Sequence, residues 1–141
     1  MSPPRAHSST SEQVVMTPQA PIVDARGQIH NLVEASFGSA LRIVSVKGST
    51  RANHYHKTDF HYCWLQRGGL IYAQRRVGDG KPPQQWVIKP GQLFYTPPRY
   101  EHVMYFTEDS EMFCFARNNR NMAEYEEDTV RIAPLTLAVA A

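Results

Sequence analysis

The chain has 141 residues, the length of a single domain of ordinary size. Apolar residues make up 42% and charged residues 20%, so a hydrophobic core can form and wholesale disorder is not expected. The net charge is only +2, without a basic cluster in the sequence, which gives no electrostatic footprint for nucleic acid or anionic lipid. With neither a signal peptide nor an apolar run of the ~20 residues that a membrane helix needs, we expect a soluble, cytoplasmic protein.

The two ends of the chain differ in composition from its middle. Residues 1–20 are rich in proline and serine and predict a flexible arm, whose apolar patch Val14–Met16 could add a strand to a neighbouring chain. Residues 21–132 form the predicted domain, and residues 133–141 an apolar tail. Because the arm, the tail and exposed sheet edges all need cover, we expect a homodimer.

Within the predicted domain, short runs of β-type residues alternate with turn sequences such as Arg67-Gly68-Gly69 and Lys89-Pro90-Gly91. This regular spacing, with no helical pattern between the runs, predicts an all-β sandwich or barrel. One short helix is predicted to open at Asn121, with Glu124 three residues on, and to run to Asp128. The predicted strands are Ala40–Val46, His61–Leu65, Leu70–Val77, Gln85–Ile88, Leu93–Thr96, Val103–Phe106 and Met112–Ala116.

Three of the six histidines, His54, His56 and His61, fall within eight residues. On a strand His54 and His56 share a face, roughly 7 Å apart at ~3.3 Å per residue, so both imidazoles can converge on one ion. A turn over residues 57–60 returns His61 beside them, and His102 opens another strand 41 residues later. A same-face pair alone also fits an exposed strand face, but the return of His61 favours a metal site.

Glycine and histidine spacing in the first half of the domain resembles the first sequence box of the cupin superfamily, whose members are small β-barrels with a metal site. Five residues separate Gly48 from His54, and one separates His54 from His56. Four residues then lead to His61 and six more to Gly68. His61 stands where the family usually has glutamate.

A second segment resembles the second cupin box. Five residues separate Gly91 from Pro97, and His102 stands at the position of the histidine ligand. Arg99 replaces the usual glycine, and Phe106 replaces the usual asparagine. The resemblance covers about residues 40–116 and implies an all-β double-stranded β-helix, a jelly-roll barrel, with the short helix at its C-terminal end.

Carried over residue by residue, the resemblance implies that His54, His56, His61 and His102 hold one divalent transition metal. An all-nitrogen shell favours zinc, nickel, iron or copper over magnesium and manganese, and it leaves one or two positions open. Two alternatives stay open. His61 is either a ligand or a general base or filler beside three ligands, and the pocket is either metal-bound or metal-free, with a histidine acting directly as acid or base.

Further segments resemble cupins that act on nucleotide-linked keto sugars, the 3,4-ketoisomerases and 3,5-epimerases. These segments are residues 24–29, 51–56 and 125–130. In such enzymes a histidine removes a proton next to the ketone, a tyrosine returns it, and arginines hold the diphosphate. The resemblance therefore makes His54 the candidate base and Arg51 the candidate phosphate-binding residue. Strand alternation separately makes Tyr72 a candidate tyrosine, because it could line the mouth of the pocket together with Gln74, Tyr95 and Tyr105.

The sequence thus predicts a metal-dependent isomerase or epimerase that acts on a carbonyl substrate such as a nucleotide-linked keto sugar. Three alternatives remain: a metal-dependent dioxygenase, a cyclase of the aromatic-polyketide type, and a ligand-binding barrel without catalysis. The two cysteines, Cys63 and Cys114, lie in strand patterns and are expected to be small, buried and inert.

Overall fold

The computed structural model describes residues 13–138, which form two five-stranded antiparallel sheets and a separate two-stranded hairpin. The strand order is β1-β9-β6-β11-β4 in the first sheet and β12-β5-β10-β7-β8 in the second, while β2 pairs with β3. No helix in this range is long and apolar enough to cross a membrane. The elements are β1 (Val15–Met16), β2 (Ile22–Asp24), β3 (Gly27–Ile29), β4 (Ser39–Ser45), β5 (Thr50–His56), β6 (His61–Arg67), β7 (Leu70–Arg76), β8 (Gln84–Ile88), β9 (Leu93–Thr96), β10 (Tyr100–Phe106), β11 (Ser110–Ala116), α1 (Met122–Asp128) and β12 (Thr129–Arg131).

Side-chain alternation explains why the two sheets face each other. In β11 every second residue from Ser110 to Ala116 is buried, as expected for a strand with one face on a core. The tight turn between β6 and β7 depends on Gly68, which has a φ of +99°. A Cβ at Gly68 would collide with Ser110 and with the backbone of Asp109, so a side chain is excluded there on two grounds.

The space between the sheets has two parts. One is lined by histidines and is described below. The other, which we call the apolar interior, is closed to solvent and gathers large side chains from both sheets. Its fully buried members are Leu65, Leu70, Tyr72, Ile88, Phe94, Phe106 and Met112.

The predicted all-β jelly roll with a short C-terminal helix is confirmed. The helix starts after Asn121, whose side chain accepts hydrogen bonds from the backbone N–H groups of Ala123 and Glu124. Strand β9 has the predicted bounds, and the other predicted runs differ from the observed strands by a few residues at their ends. Strand β5 is missing from the predicted runs and was expected only as the local strand that carries His54 and His56. The apolar patch of the arm was expected to add a strand to a neighbouring chain, but β1 pairs with β9 of its own chain. Strands β2, β3 and β12 were not predicted, because three residues carry too little alternation to be recognised.

The described parts of both chain ends contact the barrel. Val15 and Met16, in the predicted arm, pair with Phe94 and Leu93 of β9, so this part of the arm is a strand of the barrel. In the predicted tail, Leu135 packs in a cluster with buried residues of the second sheet. The rest of both segments, residues 1–12 and 139–141, lies outside the described residues.

The expectation for the cysteines is wrong in one respect. Cys63 and Cys114 are buried, but they are directly opposite each other on β6 and β11, with Cα atoms 4.2 Å apart, and form a disulfide. The sequence separation of 51 residues hides this pairing, since only the register of the two strands brings the side chains together.

Candidate active site

Four histidines meet inside the barrel because three strands deliver them to the same end. His54 on β5 and His102 on β10 are cross-strand partners, and their ring centroids are 4.9 Å apart. His56 shares the face of His54, with ring centroids 4.7 Å apart, as strand alternation predicts. His61 opens β6 on the facing sheet, 5.3 Å from the His102 ring. The structure therefore brings together all four histidines named from the sequence.

Hydrogen bonding fixes the tautomer of His102. Its Nδ1 lies 2.9 Å from the carbonyl oxygen of Tyr100, and because a carbonyl only accepts, the ring proton is on Nδ1. In the neutral ring the lone pair is then on Nε2. This Nε2 atom is buried and has no hydrogen-bond partner within residues 13–138. Because no protein group among the described residues pairs with this lone pair, it is available to a ligand in the cavity.

The Nδ1 atom of His56, like that of His102, contacts oxygen atoms outside the cavity. Its Nδ1 lies 3.4 Å from Thr129 Oγ1 and 3.5 Å from Asp128 Oδ2. The Thr129 hydroxyl donates to the carbonyl of Tyr125, so its oxygen is free to accept the Nδ1 proton of His56. Asp128 is itself fixed by hydrogen bonds from Thr58. These contacts turn Nε2 of His56 away from the helix and leave it for the cavity.

The cavity keeps all four imidazoles neutral. Burial lowers the pKa of His54 to about 3 and that of His102 to about 4. Burial also lowers the pKa of His56, although the carboxylates of Asp59 and Asp128 oppose this shift, and it lowers the pKa of His61 well below its ordinary value. Neutral imidazole is the form that binds a metal ion.

Three of the four histidines fit a metal ion as they stand. Ligand atoms of His54, His56 and His102 lie within 4.8 Å of one another, and all three residues are buried. His61 belongs to no such set among the described residues; its Nδ1 is 3.4 Å from Cys63 Sγ. Three histidines with a remaining open position are the donor set of a catalytic zinc site.

The cavity has a volume of about 180 Å³, and two arginines stand at it. Arg51, the predicted phosphate-binding residue, lines it while donating hydrogen bonds to Ser45 Oγ at 2.8 Å and to the carbonyl of Val44 at 2.9 Å. Arg120 also lines it, with its guanidinium 3.9 Å from the ring centre of Tyr125.

The structure does not bring Tyr72 to this cavity. Tyr72 is fully buried in the apolar interior, where its hydroxyl donates to Gln74 Oε1 at 2.6 Å and contacts Thr96 Oγ1. Burial raises the pKa of the Tyr72 hydroxyl. With its hydroxyl occupied and its ring away from the histidines, Tyr72 is not carried into the function proposed below.

Sequence reasoning missed four polar residues of the site: Asp128, Tyr125, Arg120 and Asp59. The first two belong to helix α1 and the third precedes it. Residues 125–130 resembled nucleotide-sugar enzymes as a segment, which could have directed attention to this helix. Nothing in the local sequence shows that the helix packs on His56.

No protein-family model and no curated protein sequence matches the chain. Solved structures do. The 3,4-ketoisomerase QdtA from Thermoanaerobacterium thermosaccharolyticum in complex with TDP is 18% identical, with a TM-score of 0.67 over 84% of this chain and 86% of that chain. The dTDP-4-dehydrorhamnose 3,5-epimerase from Sulfolobus tokodaii is 16% identical, with a TM-score of 0.71 over 89% and 80%.

A third similar structure is the 3'-monoepimerase ChmJ from Streptomyces bikiniensis in complex with dTDP-quinovose, 14% identical, with a TM-score of 0.70 over 85% of this chain and 69% of that chain. At these identities the likeness shows the fold. The chain has a jelly-roll barrel, and in structure it is similar to these sugar ketoisomerases and epimerases.

Proposed function

We propose that this protein is an isomerase or epimerase that moves a proton next to the ketone of a nucleotide-linked sugar, with a divalent transition metal in the histidine cavity. The observation that carries the proposal is the buried, unpartnered Nε2 of His102 facing two further neutral imidazoles. The structural likeness to enzymes of keto sugars supports the substrate class.

The residues present fit a metal ion. His54, His56 and His102 would hold it, because their ligand atoms are already grouped and their imidazoles are neutral. The neutral nitrogen set suits zinc, nickel, iron or copper. When bound, such an ion supplies a Lewis acid that polarises a carbonyl oxygen.

The protein's own groups prepare this site before any ligand enters. The Tyr100 carbonyl holds the Nδ1 proton of His102, and Thr129 with Asp128 holds that of His56. Both contacts fix which nitrogen is offered to the cavity and in which direction, so little reorganisation is needed on binding.

His61 is the group best placed to carry the proton. It faces the same cavity but lies outside the set of three, so it need not give up its lone pair to a metal. His54, the base expected from the sequence, is surrounded by His56 and His102 and belongs to the set. A proton taken from the carbon next to the ketone would then move to His61 and return from it.

The volume of the histidine cavity limits the size of the ligand that can enter it. About 180 Å³ is below the ~300–1,000 Å³ of pockets that enclose a drug-sized ligand, so a sugar ring fits and a whole nucleotide sugar does not. The nucleotide would lie outside, with its diphosphate near Arg51 and Arg120. Guanidinium groups bind phosphate oxygens in a bidentate manner, which suits this place.

We also propose that the protein is a homodimer. The hairpin of β2 and β3 carries apolar side chains in solvent: Ile22 is 72% exposed, Val23 68% and Ile29 71%. A second copy would cover this surface. Light scattering at micromolar concentration should give twice the chain mass, and a monomer would contradict the proposal.

The test of the activity is proton exchange. TDP-4-keto-6-deoxyglucose, incubated with the protein in D₂O, should gain deuterium at a carbon next to its ketone, as followed by NMR. A chelator should stop the exchange, and His61→Gln should slow it by at least ~100-fold, the size of a general-base contribution. If the sugar neither exchanges nor binds, the proposal fails. Oxygen uptake with a reducing substrate would instead favour the dioxygenase alternative.

The two roles left open for His61 are separated by His61→Glu. If His61 is a fourth ligand, the added carboxylate should shift metal preference toward harder ions such as manganese. If His61 is the base, metal preference should hold while the pH optimum of exchange moves down, because the reference pKa of glutamate is about two units below that of histidine.

A further inference from the structure

A second pocket lies on the rim of the barrel, outside the histidine cavity. It has a volume of about 420 Å³, and we call it the rim pocket. Three of its six lining residues are basic and none is acidic. The lining residues are Lys57, Arg76, Val77, Pro98, Arg99 and Tyr100.

The three basic residues come from separate parts of the fold. Lys57 directly follows β5, Arg76 ends β7, and Arg99 lies in the turn before β10. Arg76 and Tyr100 are cross-strand partners, so their backbones are fixed relative to each other. The Arg99 backbone N–H donates to the carbonyl of His56 at 2.7 Å, and its carbonyl accepts from Val77 at 3.1 Å. The three charges are therefore gathered by the tertiary fold.

These charges are not in ion pairs. Within residues 13–138, no acidic side chain forms an ion pair with Lys57, Arg76 or Arg99. The neighbouring Arg75, by contrast, binds Glu101 at 2.7 Å. Lys57 also lines a neighbouring pocket that contains Glu124, Glu127 and Asp128, but the rim pocket itself has three basic and no acidic lining residues and is therefore locally positive.

Arg99 adds a second observation. Its φ is +61°, in the left-handed region that glycine adopts without steric cost and that other residues rarely occupy. The same position holds glycine in the sequence box that this segment resembles. Arg99 therefore places its charged side chain at the pocket despite a steric cost that glycine would not have.

We propose that the rim pocket is a second binding site, which takes a phosphate-bearing anion such as a diphosphate group. Two guanidinium groups and an ammonium group provide the bidentate and point-charge contacts that phosphate oxygens accept. The site is distinct from the histidine cavity: the two share no lining residue, and the adjacent residues His56 and Lys57 line different pockets. It does not depend on the isomerase proposal.

Inorganic pyrophosphate is the probe, titrated by calorimetry into the full chain and into four variants. The wild type should bind one pyrophosphate per chain at this site. Arg76→Gln and Arg99→Gly should each weaken binding by at least tenfold. Lys47→Gln, which removes the same charge from an exposed position elsewhere, should change affinity less than twofold. His54→Ala should leave pyrophosphate binding unchanged.

Arg99→Gly also separates binding from folding. Because glycine suits a φ of +61°, the thermal midpoint of this variant without anion should be no lower than that of the wild type. Weakened binding therefore cannot result from a damaged fold. Equal affinities in Arg76→Gln, Arg99→Gly and Lys47→Gln would overturn the proposal, as would loss of binding in His54→Ala, which would place the anion in the histidine cavity.

Thymidine diphosphate distinguishes two sources of the phosphate groups. If it competes with pyrophosphate and also loses affinity in Arg76→Gln, the rim pocket holds the diphosphate of a nucleotide. If thymidine diphosphate binds Arg76→Gln as tightly as the wild type, the rim pocket serves a separate phosphate compound. No binding of either compound by the wild type would overturn the proposal.

Discussion

The histidine cavity and the apolar interior are two parts of one barrel, built partly from the same strands. Strand β10 gives His102 to the first and Phe106 to the second. In the apolar interior the polar atoms of Tyr72 and Gln74 are paired with each other. In the histidine cavity, Nε2 of His102 has no partner among the described residues.

That difference separates a packed core from a site that can take a ligand. The described residues give Nε2 of His102 no hydrogen-bond partner, whereas a leucine or methionine at this position would need none. Four neutral imidazoles gathered at one end are therefore a feature that folding does not require, and local conflict with packing is typical of functional sites.

In protein treated with a chelator, acid should have the largest effect, because it should lower the free energy of unfolding through the buried histidines. The unfolded chain protonates its histidines near pH 6.5, whereas the folded-state pKa values of His54 and His102 are about 3 and 4. Between pH 7 and pH 5 the unfolded state therefore binds more protons, and unfolding becomes easier. The free energy of unfolding should fall by ~4 kcal/mol from these two groups.

Urea titrations at pH 7, 6 and 5 measure this slope. His30→Ala is the matched control, because His30 lies outside the cavity and bonds to the carbonyl of Gln19 instead. His54→Phe should have a shallower pH slope than His30→Ala. A wild-type stability independent of pH in this window would show that the cavity is not desolvated.

Removing the Asp128 carboxylate, which contacts Nδ1 of His56, should have a smaller effect than acid. Asp128 has a side chain only 11% exposed and lies 3.5 Å from Nδ1 of His56. Asp128→Asn weakens the hold on that proton, so zinc affinity in a chelator competition should fall ~10–100-fold. Glu127→Gln, an exposed neighbour on the same helix, should keep the wild-type affinity. Equal affinities in the two variants would remove Asp128 from the site.

The smallest effect is expected in the apolar interior. Tyr72→Phe leaves Gln74 and Thr96 without the hydroxyl that they contact, and should cost about 1–2 kcal/mol of unfolding free energy. Metal content and proton exchange should not change. Tyr105→Phe, whose hydroxyl makes no hydrogen bond within residues 13–138, should lose less. A loss of exchange in Tyr72→Phe would restore the catalytic role expected from the sequence.

The sequence predicted what depends on local spacing. His54 and His56 share a face by alternation, and His61 and His102 stand at fixed distances from glycine and proline turns. The same logic predicted β9 and the helix capped by Asn121, since each depends on a few adjacent residues. The all-β fold could be predicted from these local features because turn sequences and alternating side chains recur along the chain.

The features that the sequence could not predict depend on contacts between segments that are far apart in the chain. Asp128 reaches His56 only because α1 packs on the end of β5, 72 residues earlier in the chain. The face of Tyr72 could be anticipated, but not its depth along the barrel. The rim pocket could not be predicted for the same reason: Lys57, Arg76 and Arg99 are scattered in the sequence and meet only in the fold.

Metal analysis tests directly whether the histidine cavity holds a metal ion. The protein would be purified without a polyhistidine tag, and its metal content would be measured by mass spectrometry beside His56→Ala/His102→Ala. We predict one transition metal per chain in the wild type and none in the double variant. No metal in the wild type, even after incubation with zinc, nickel, iron and copper, would contradict the claim, as would full occupancy in the double variant.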